Sequence, residues 1–566
     1  MKFDKDILLG IVICAAILIG WEPLCRAMGW TSDVPAAPSQ QTVAPKKDAA
    51  AAPSQTKSGS VAKKEVKADS VKASKPVAAM TDVEIGNDNL TFFIAPVAGD
   101  VKKIALKKYQ NSKRDGNVIL DSRLRAAQGA FAVFPKQGTW QTVEVVLSQK
   151  SADNKSYKLI RKLTSTAFPQ GLFVEQNWEL NGYAADYSVK FRNASNTHIK
   201  IADAVISGGD LSSWAQASGD KVRIPTHRLD FYTAHGDFDD IKADAKDSKF
   251  FRSPMVDWAG VSNKYFCSIL DAAEPFTLWQ ARSYINVGED SVPAIAAGAQ
   301  LPGFELAPGE IKGFNFKSYN GPKIISQLDA FNPTTSKVMH LSWGPMDYLA
   351  RLLLWILVKF NDVLHSYGWS IICLTIVVRL LFYPVTAKAN ASMKKMQQVQ
   401  PQLTALREKY KDNPQLLNTK MMELYRQEGV NPFGGCLPIL LQIPVFFALY
   451  ATLDGAVELR QVAFWWCKDL AAADTVAKIP LYFFDLPINP LVLAMTLLMA
   501  IQQRMTPMSG DPMQKKMMMM MPGIMLIFLY DLPSGLTLYW TVSNLFSIVQ
   551  LMLQQRAGKK AAATAK

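Results

Sequence analysis

Long apolar runs occur at the start of the chain and from residue 367 onward. The first run covers residues 7–21 (ILLGIVICAAILIGW), and a typical later run covers residues 370–386 (SIICLTIVVRLLFYPVT). About 20 predominantly apolar residues are what an α-helix needs to cross a bilayer. The pattern therefore predicts a polytopic α-helical membrane protein.

Six segments are expected to cross the membrane. The first is a signal anchor within residues 1–30, which we expect to be retained because no A-x-A cleavage site follows it. The second covers residues 367–387, and four more lie within residues 431–555. The last two, residues 517–532 and 534–554, are short for spans, which indicates local thinning of the bilayer or a water-filled recess.

The region between the first two spans has two parts. Residues 31–80 consist mainly of Ala, Pro, Ser, Lys and Gln, a composition that predicts a disordered linker. Residues 81–335 contain short runs with alternating apolar and polar positions, such as LTFFIA from Leu90 and YSVKFRN from Tyr187. A period of two with intervening turn residues predicts an all-β domain of packed antiparallel sheets.

Three shorter segments have helical or basic patterns. Residues 345–366 place apolar side chains at helical spacing among charged ones, which predicts an amphipathic helix in the membrane interface. Residues 388–430 predict a helical hairpin, with its break at the sequence KDNP of residues 411–414. The chain ends in a short basic tail, residues 556–566.

Charge predicts the orientation of the spans. The net charge is +14, and lysines and arginines cluster at the N-terminus, in the hairpin, in the loop before residue 517 and in the tail. Basic loops favour the cytoplasm, so the β domain is expected outside. Because this bias accounts for the charge, we expect no direct nucleic-acid function.

Candidate chemistry outside the spans is sparse. The six cysteines form no CxxC pair, and the five histidines are scattered, so we expect no disulfide framework and no metal site. One acidic cluster, residues 235–240 (HGDFDD), could hold calcium, but its spacing matches no established loop and a solvated acidic loop is the alternative.

A permanent charge lies inside the second span. Arg379 would cost about 2.5–3.5 kcal/mol at a bilayer centre, and no Asp or Glu in the spans is deep enough to pair with it. Polar residues recur on one face of its helix and in two other spans. A water-filled cavity open to the cytoplasm explains this set; hydrogen bonds between helices are the alternative. The set comprises Thr375, Tyr383, Thr386, Gln442, Trp540, Ser543, Asn544 and Ser547.

Methionines surround the start of the fifth span. They include residues 517–521 (MMMMM) and Met505, Met508 and Met513 before them. Methionine adapts to apolar partners of varied shape, so this surface suits a polypeptide. An ordinary interfacial helix start with filler residues is the alternative.

Three long motifs resemble the YidC family of membrane protein insertases. They are MKKMQQVQPQLTALREKY from Met393, VNPFGGCLPILLQIPVFFALY from Val430 and LPSGLTLYWTVSNLFSIVQ from Leu532. The resemblance implies the Gram-negative form in the inner membrane, with residues 31–345 periplasmic. It further implies a periplasmic β-supersandwich like that of sugar mutarotases and a core of five spans.

The resemblance also implies sites and partners. Arg379, Thr375, Gln442 and Trp540 match positions of a substrate groove, and Asn544 lies beside them. The hairpin that receives substrates carries Lys394, Lys395, Arg407 and Tyr410. The implied partners are nascent membrane proteins, membrane lipids, the Sec translocon and the ribosome. Because the tail after Arg556 is short and only mildly basic, we do not expect it to dock the ribosome.

These observations favour a membrane protein insertase without an enzymatic centre or cofactor. The sequence has no GxxxxGK[ST] phosphate loop, no paired inverted repeats and no clustered histidines, so an ATPase, a solute transporter and a membrane enzyme fit less well. The alternative is a membrane-anchored assembly or ligand-binding factor centred on the periplasmic domain.

Overall fold

The computed structural model describes residues 80–111, 114–121, 129–136, 138–209, 228–242, 254–287, 290–342, 344–430, 437–480, 485–506 and 512–564. The predicted signal anchor and nearly all of the predicted linker lie outside these residues. Within them, eighteen strands come first along the chain, and helices with one short β-hairpin follow.

The strands form two main antiparallel sheets. The smaller sheet has the order β1-β2-β3-β4, and the larger one runs β13-β12-β14-β15-β18-β9-β8-β7-β6, with β16, β11 and β5 joined beside β15. The strands are β1 (Val83–Gly86), β2 (Leu90–Ala95), β3 (Asp100–Gln110), β4 (Asn117–Asp121), β5 (Val133–Pro135), β6 (Gln141–Lys150), β7 (Ser156–Ser165), β8 (Phe168–Asn181), β9 (Ala184–Arg192), β10 (Ile199–Ile201), β11 (Ala204–Ser207), β12 (Arg228–Thr233), β13 (Phe238–Lys242), β14 (Met255–Ser262), β15 (Phe266–Val287), β16 (Asp290–Leu301), β17 (Phe304–Leu306) and β18 (Ile311–Pro322).

Alternation along the strands builds a sandwich-like core. In β8, Val174, Gln176, Trp178 and Leu180 point inward, whereas the alternate residues 175, 177 and 179 are less buried. The Trp178 ring lies 5.4 Å from Tyr187 of β9, and Phe92 of the smaller sheet belongs to the same core. Successive side chains of a strand point to opposite faces, so the period of two places one apolar face between the sheets.

One charged side chain lies inside this core. Arg161 of β7 is 2% exposed and donates hydrogen bonds to the Ala98 carbonyl at 2.6 Å and the Gln176 side chain at 2.8 Å. Burial lowers the pKa of Arg161 to about 10. The guanidinium therefore fixes the β2–β3 turn to the larger sheet through hydrogen bonds.

Helices form the rest of the described chain. The α-helices are α1 (Ile325–Phe331), α2 (Pro345–Leu364), α3 (Tyr367–Lys409), α4 (Pro414–Gln427), α5 (Leu437–Gly455), α6 (Pro490–Met505), α7 (Pro512–Leu529) and α8 (Ser534–Thr564); β19 (Ala477–Pro480) and β20 (Asp485–Ile488) form a hairpin before α6. The predicted amphipathic helix corresponds to α2, and the predicted hairpin break lies between α3 and α4.

The second span and the first arm of the hairpin form one helix. The sequence divides them at residues 387 and 388, whereas α3 runs unbroken for 43 residues. The segment after residue 387 is rich in Ala, Lys, Met and Gln, which are strong helix formers, and no glycine interrupts it. Pro384 and Pro401 lie inside the helix without ending it.

The β domain contacts the loops at one end of the helices. Lys264, in the turn between β14 and β15, forms an ion pair of 2.6 Å with Asp454 at the end of α5. Arg460 donates to the Gln110 carbonyl at 2.7 Å, and Gln461 donates to the Asn111 carbonyl at 2.7 Å. Two of these three contacts are therefore hydrogen bonds that backbone carbonyls of the β domain accept.

A buried carboxylate lies where the β domain leads into α2. The Asp230 carboxylate is 2.6 Å from His340 Nε2 and accepts a hydrogen bond from Ser262 at 2.5 Å. Burial by itself would raise the pKa of Asp230, but attraction to His340 and Lys323 outweighs it and lowers the pKa below its ordinary value.

The residues around Asp230 test the alternative that the acidic loop holds calcium. Asp230, Asp240 and His340 bring ligand atoms within 4.8 Å of one another. Asp240, however, already pairs with Arg228 at 3.0 Å, and Lys323 attracts Asp230. The cluster is therefore held by the Arg228–Asp240 ion pair and the Asp230–His340 hydrogen bond, and of the acidic loop only Asp240 belongs to it.

Replacing Asp230 should destabilise the β domain at neutral pH. Asp230→Asn leaves Lys323 without its buried counter-charge and removes the carboxylate that bonds His340 and Ser262, so we expect a loss of about 3 kcal/mol in unfolding free energy. Because the folded pKa of Asp230 is lowered, its contribution is complete above the unfolded value near 3.8 and is lost as the pH falls through the folded value. Chemical unfolding followed by circular dichroism across this pH range measures both effects.

The exposed Asp186 supplies the control. Asp186→Asn removes one carboxylate from the same sheet without a buried partner, so its unfolding free energy should remain close to that of the unchanged protein. Equal stabilities of the Asp230→Asn and Asp186→Asn variants at pH 7 would contradict the assignment.

Candidate functional site

Arg379 joins two helices through a hydroxyl group. Its side chain is half-buried on α3, and Nε donates a hydrogen bond to Ser543 Oγ of α8 at 2.6 Å. Nη2 of the same guanidinium also contacts Ser543 Oγ. Tyr539, one turn before Ser543, is its electrostatic neighbour. Among the described residues, no carboxylate lies within ion-pairing distance of Arg379.

Further polar pairs continue along the same two helices. Gln550 donates to Thr386 at 3.1 Å, and Asn390 donates to Gln554 at 3.3 Å. These pairs and the Arg379–Ser543 pair all have a sequence separation of 164. A constant separation requires the two helices to run in the same direction and in register. The sequence predicts the same direction, because both segments cross from outside to inside.

A third helix joins this interface. Gln442 of α5 donates a hydrogen bond to the Tyr539 hydroxyl of α8 at 2.9 Å. Trp540 is half-buried, and its ring centroid lies 5.1 Å from that of Phe446 on α5. Arg379, Gln442 and Trp540 are thus brought to neighbouring positions among α3, α5 and α8.

Thr375 and Asn544 have partners elsewhere. The Thr375 side chain is fully buried and donates its hydroxyl to the Ile371 carbonyl of its own helix at 2.7 Å. Asn544 is buried and donates to the Met495 carbonyl of α6 at 3.4 Å. Adjacent residues on a helix are about 100° apart, so Ser543 faces α3 while Asn544 faces α6. For these two residues, the alternative of hydrogen bonds within and between helices describes the contacts better.

The hairpin of α3 and α4 has its own small core. Met396, Val399 and Leu403 of α3 are buried against Leu424 of α4. Asn413 caps α4 by accepting a hydrogen bond from the Leu416 amide at 3.0 Å. Because the packing stripe is short, the hairpin rests on few apolar contacts.

The predicted hairpin residues differ in exposure. Lys394 and Lys395 are exposed, whereas Arg407 and Tyr410 are half-buried. Lys409 lies over the Tyr410 ring, with Nζ 5.5 Å from the centroid. The two lysines are therefore available to an acidic partner.

Two helices in the described part of the chain are long and apolar enough to cross a membrane. They are Tyr367–Lys409 and Ser534–Arg556, and Pro490–Met505 and Met518–Leu529 are apolar but shorter. The arrangement with six spans stays a prediction. Met519, Met520 and Met521 are exposed on α7, as are Ile527 and Phe528 farther along it.

Comparison with known proteins identifies the family. A relative named "Membrane protein insertase YidC" from Geobacter metallireducens is 30% identical over 566 residues, which is 97% of each chain. The chain belongs to the YidC family. The relative of the same name from Nitrosococcus oceani is 32% identical over 491 residues, covering 83% of this chain and 84% of its own.

The family models divide the chain between its two parts. The model described as "YidC periplasmic domain" matches residues 82–356, and "60Kd inner membrane protein" matches residues 359–561. The YidC relative from Syntrophobacter fumaroxidans is 40% identical over 313 residues, or 54% of this chain and 55% of that protein. The chain is thus a YidC-type inner membrane protein with a periplasmic β-sandwich-like domain.

Sequence reasoning missed Tyr539. Its hydroxyl accepts from Gln442 and is the electrostatic neighbour of Arg379. Ser543 was already among the polar residues of this helix. Tyr539 lies four residues before Ser543, so helical spacing alone places it on the same face.

The bond between Gln442 and Tyr539 should couple α5 to α8 energetically. We expect a double-mutant cycle of Gln442→Leu and Tyr539→Phe to give about 0.6 kcal/mol of coupling, the usual size for polar pairs between membrane helices. Unfolding of the protein in mixed micelles measures it. The control cycle pairs Gln442→Leu with Thr496→Val, whose hydroxyl bonds within α6, and should give none. Equal coupling in both cycles would contradict the contact.

Proposed function

We propose that this chain is a membrane protein insertase. It receives nascent inner-membrane proteins in a hydrophilic groove open to the cytoplasm and to lipid, and it releases their transmembrane segments into the bilayer. Arg379, Gln442 and Trp540 line the groove; Thr375 is buried in α3 one turn before Arg379, and Asn544 joins α8 to α6 beside it. The single observation that carries the proposal is the half-buried Arg379, held by a serine hydroxyl instead of a carboxylate in the described chain.

The hydrogen-bond capacity of Arg379 supports this role. A guanidinium has five N–H donors, and Nε and Nη2 both contact the one Ser543 oxygen. A serine oxygen neutralises no charge. The remaining donors and the positive charge are therefore suited to water or to an acidic group of a substrate. In a region of low dielectric constant this attraction is much stronger than in bulk water.

The proposed mechanism lowers the cost of moving a polar segment. Moving a short polar end into hydrocarbon costs several kcal/mol of free energy for each unpaired polar group. A wet groove shortens the apolar distance, and Arg379 attracts an acidic end into it. The apolar segment then leaves along exposed apolar side chains, such as Leu380 and Leu381 of α3, into lipid. Burying apolar surface releases about 25 cal/mol per Å², so no nucleotide is needed.

The proposed topology has six spans in the inner membrane, with residues 31–345 in the periplasm. The parallel register of α3 and α8 supports it, because both helices then cross from the periplasm to the cytoplasm. Lys394 and Lys395 of the hairpin would meet nascent chains on the cytoplasmic side. Cooperation with the Sec translocon and contact with the ribosome belong to this proposal, as does a mutarotase-like supersandwich for the β domain.

Arg379→Ala should impair insertion of substrates with acidic translocated ends. We expect about a tenfold lower insertion rate, which corresponds to ~1.4 kcal/mol of lost attraction. Substrates with neutral ends should be affected much less, because their transfer depends on apolar burial. Reconstituted vesicles with single-span substrates that differ only in end charge measure this.

Two variants serve as controls. Arg379→Lys keeps the charge without the fork of donors and should retain selectivity for acidic ends. Arg504→Ala removes an exposed charge at the end of α6 and should leave the rates unchanged. Equal insertion of every substrate by the Arg379→Ala variant and the unchanged protein would refute the proposed attraction.

A second candidate function rests on a cleft in the β domain. The outer face of the larger sheet has a cleft of about 770 Å³, lined by polar side chains such as Lys158, Asn177 and Ser188. A ligand-binding or assembly factor would use this cleft. Deleting residues 81–320 distinguishes the two functions. We expect cells to survive and insertion to continue; loss of viability with an intact helical core would favour the second function.

A further inference from the structure

Two tryptophans occupy the tip of a tight turn after α5. The Phe464 amide donates to the Cys467 carbonyl at 2.8 Å, and the Cys467 amide donates to the Phe464 carbonyl at 2.9 Å. This pair closes a two-residue hairpin turn with Trp465 and Trp466 at its tip. Their side chains are 63% and 44% exposed. Large exposed aromatic side chains are unusual at such a position.

The backbone of the turn is strained for the residue that it carries. Trp465 has φ +51°, in the left-handed region where bulky side chains are unfavourable. Tight hairpins normally place Asn, Asp or Gly there. A strained backbone persists only when surrounding contacts hold it, and it often marks a functional position.

Those contacts hold the turn firmly against α3. Phe464 is buried, and its ring packs so closely on Gly368 that a Cβ atom there would lie 2.1 Å from it. Trp466 Nε1 donates to Asp474 at 2.9 Å, and the Leu470 amide donates to the Val462 carbonyl at 2.9 Å. The exposed tryptophans are therefore presented by a rigid base.

The turn lies level with the beginning of a membrane-crossing helix. α3 begins at Tyr367, and Trp369, also exposed, lies in its first turn. The Trp369 ring is 6.1 Å from Trp465, and Trp465 stacks on Phe464 at 4.7 Å. The aromatic cluster thus continues the apolar surface of α3 at its N-terminal end.

We propose that this aromatic cluster (Trp369, Phe464, Trp465 and Trp466) is a lipid-binding wedge in the outer interface of the bilayer. Tryptophan has an apolar ring and one N–H donor, so it favours the level of the lipid headgroups. The exposed Lys468 beside the turn suits lipid phosphate. The wedge fixes the depth of α3, and with it the depth of Arg379. It rests on the membrane placement of α3 and does not depend on insertase activity.

Photo-crosslinking in full-length protein tests the occupant directly. p-Benzoylphenylalanine is placed at position 465 or 369, and the protein is reconstituted in vesicles of phosphatidylethanolamine and phosphatidylglycerol. Position 143, an exposed site on β6, is the negative control, and position 527, exposed on α7, is the control for contact with lipid. We expect several-fold more phospholipid adduct at 465 and 369 than at 143.

A second measurement keeps the turn and removes the ring. Asn adopts a positive φ readily, so Trp465→Asn should keep the turn. The difference between the fluorescence of the unchanged protein and that of the variant is then the emission of Trp465 in its native position. Phospholipids brominated near the headgroup should quench this difference more than those brominated near the chain end. Trp140→Phe in the β domain gives the control difference, which neither lipid should quench.

Each contrary outcome has a distinct meaning. Adducts with a substrate or another protein instead of lipid at position 465 would overturn the proposal and make the turn a protein contact. Lipid adducts at 527 without any at 465 or 369, or a fluorescence difference that neither lipid quenches, would also overturn it. Absence of lipid adducts at 527 as well would overturn the membrane placement itself.

Discussion

The structure depends on holding one guanidinium within a helix bundle without a counter-charge. Arg379 reaches Ser543, and the two helices that carry them stay in register through two further polar pairs, Gln550–Thr386 and Asn390–Gln554. A carboxylate in place of the serine would form a closed ion pair, which leaves little attraction for any other group. A hydroxyl positions the arginine and leaves its charge available. The proposed attraction of acidic substrate ends follows from that difference.

The two ends of α3 on either side of Arg379 are held differently. Hydrogen bonds to backbone carbonyls of Gln110 and Asn111 and the Lys264–Asp454 pair fasten the sandwich to the loops after α5. Those loops include the turn with Trp465. A firmly fastened end and a lightly packed hairpin therefore flank the arginine along α3, so local opening is favoured at the hairpin.

Local sequence patterns predict the strands and helices better than they predict which of these elements lie next to each other. The alternation in residues 81–335 predicts strands, and the break at residues 411–414 predicts the hairpin, because both depend on neighbours along the chain. The order in which β18 lies between β15 and β9 depends on contacts distant in sequence, and no single pattern specifies it. For the site, the sequence groups Ser543 and Asn544 on one polar face, but adjacent residues are about 100° apart and the two face different helices. Which neighbour occupies each side of α8 is a tertiary property.

The polar positions of α8 have a spacing with its own consequence. Tyr539, Ser543 and Ser547 follow at intervals of four residues, close to one helical turn. If α8 slid past α3 by one turn in either direction, Arg379 would meet another hydroxyl instead of hydrocarbon. A displacement of one turn would therefore leave a hydroxyl beside the guanidinium, although it would break the Gln550–Thr386 and Asn390–Gln554 bonds.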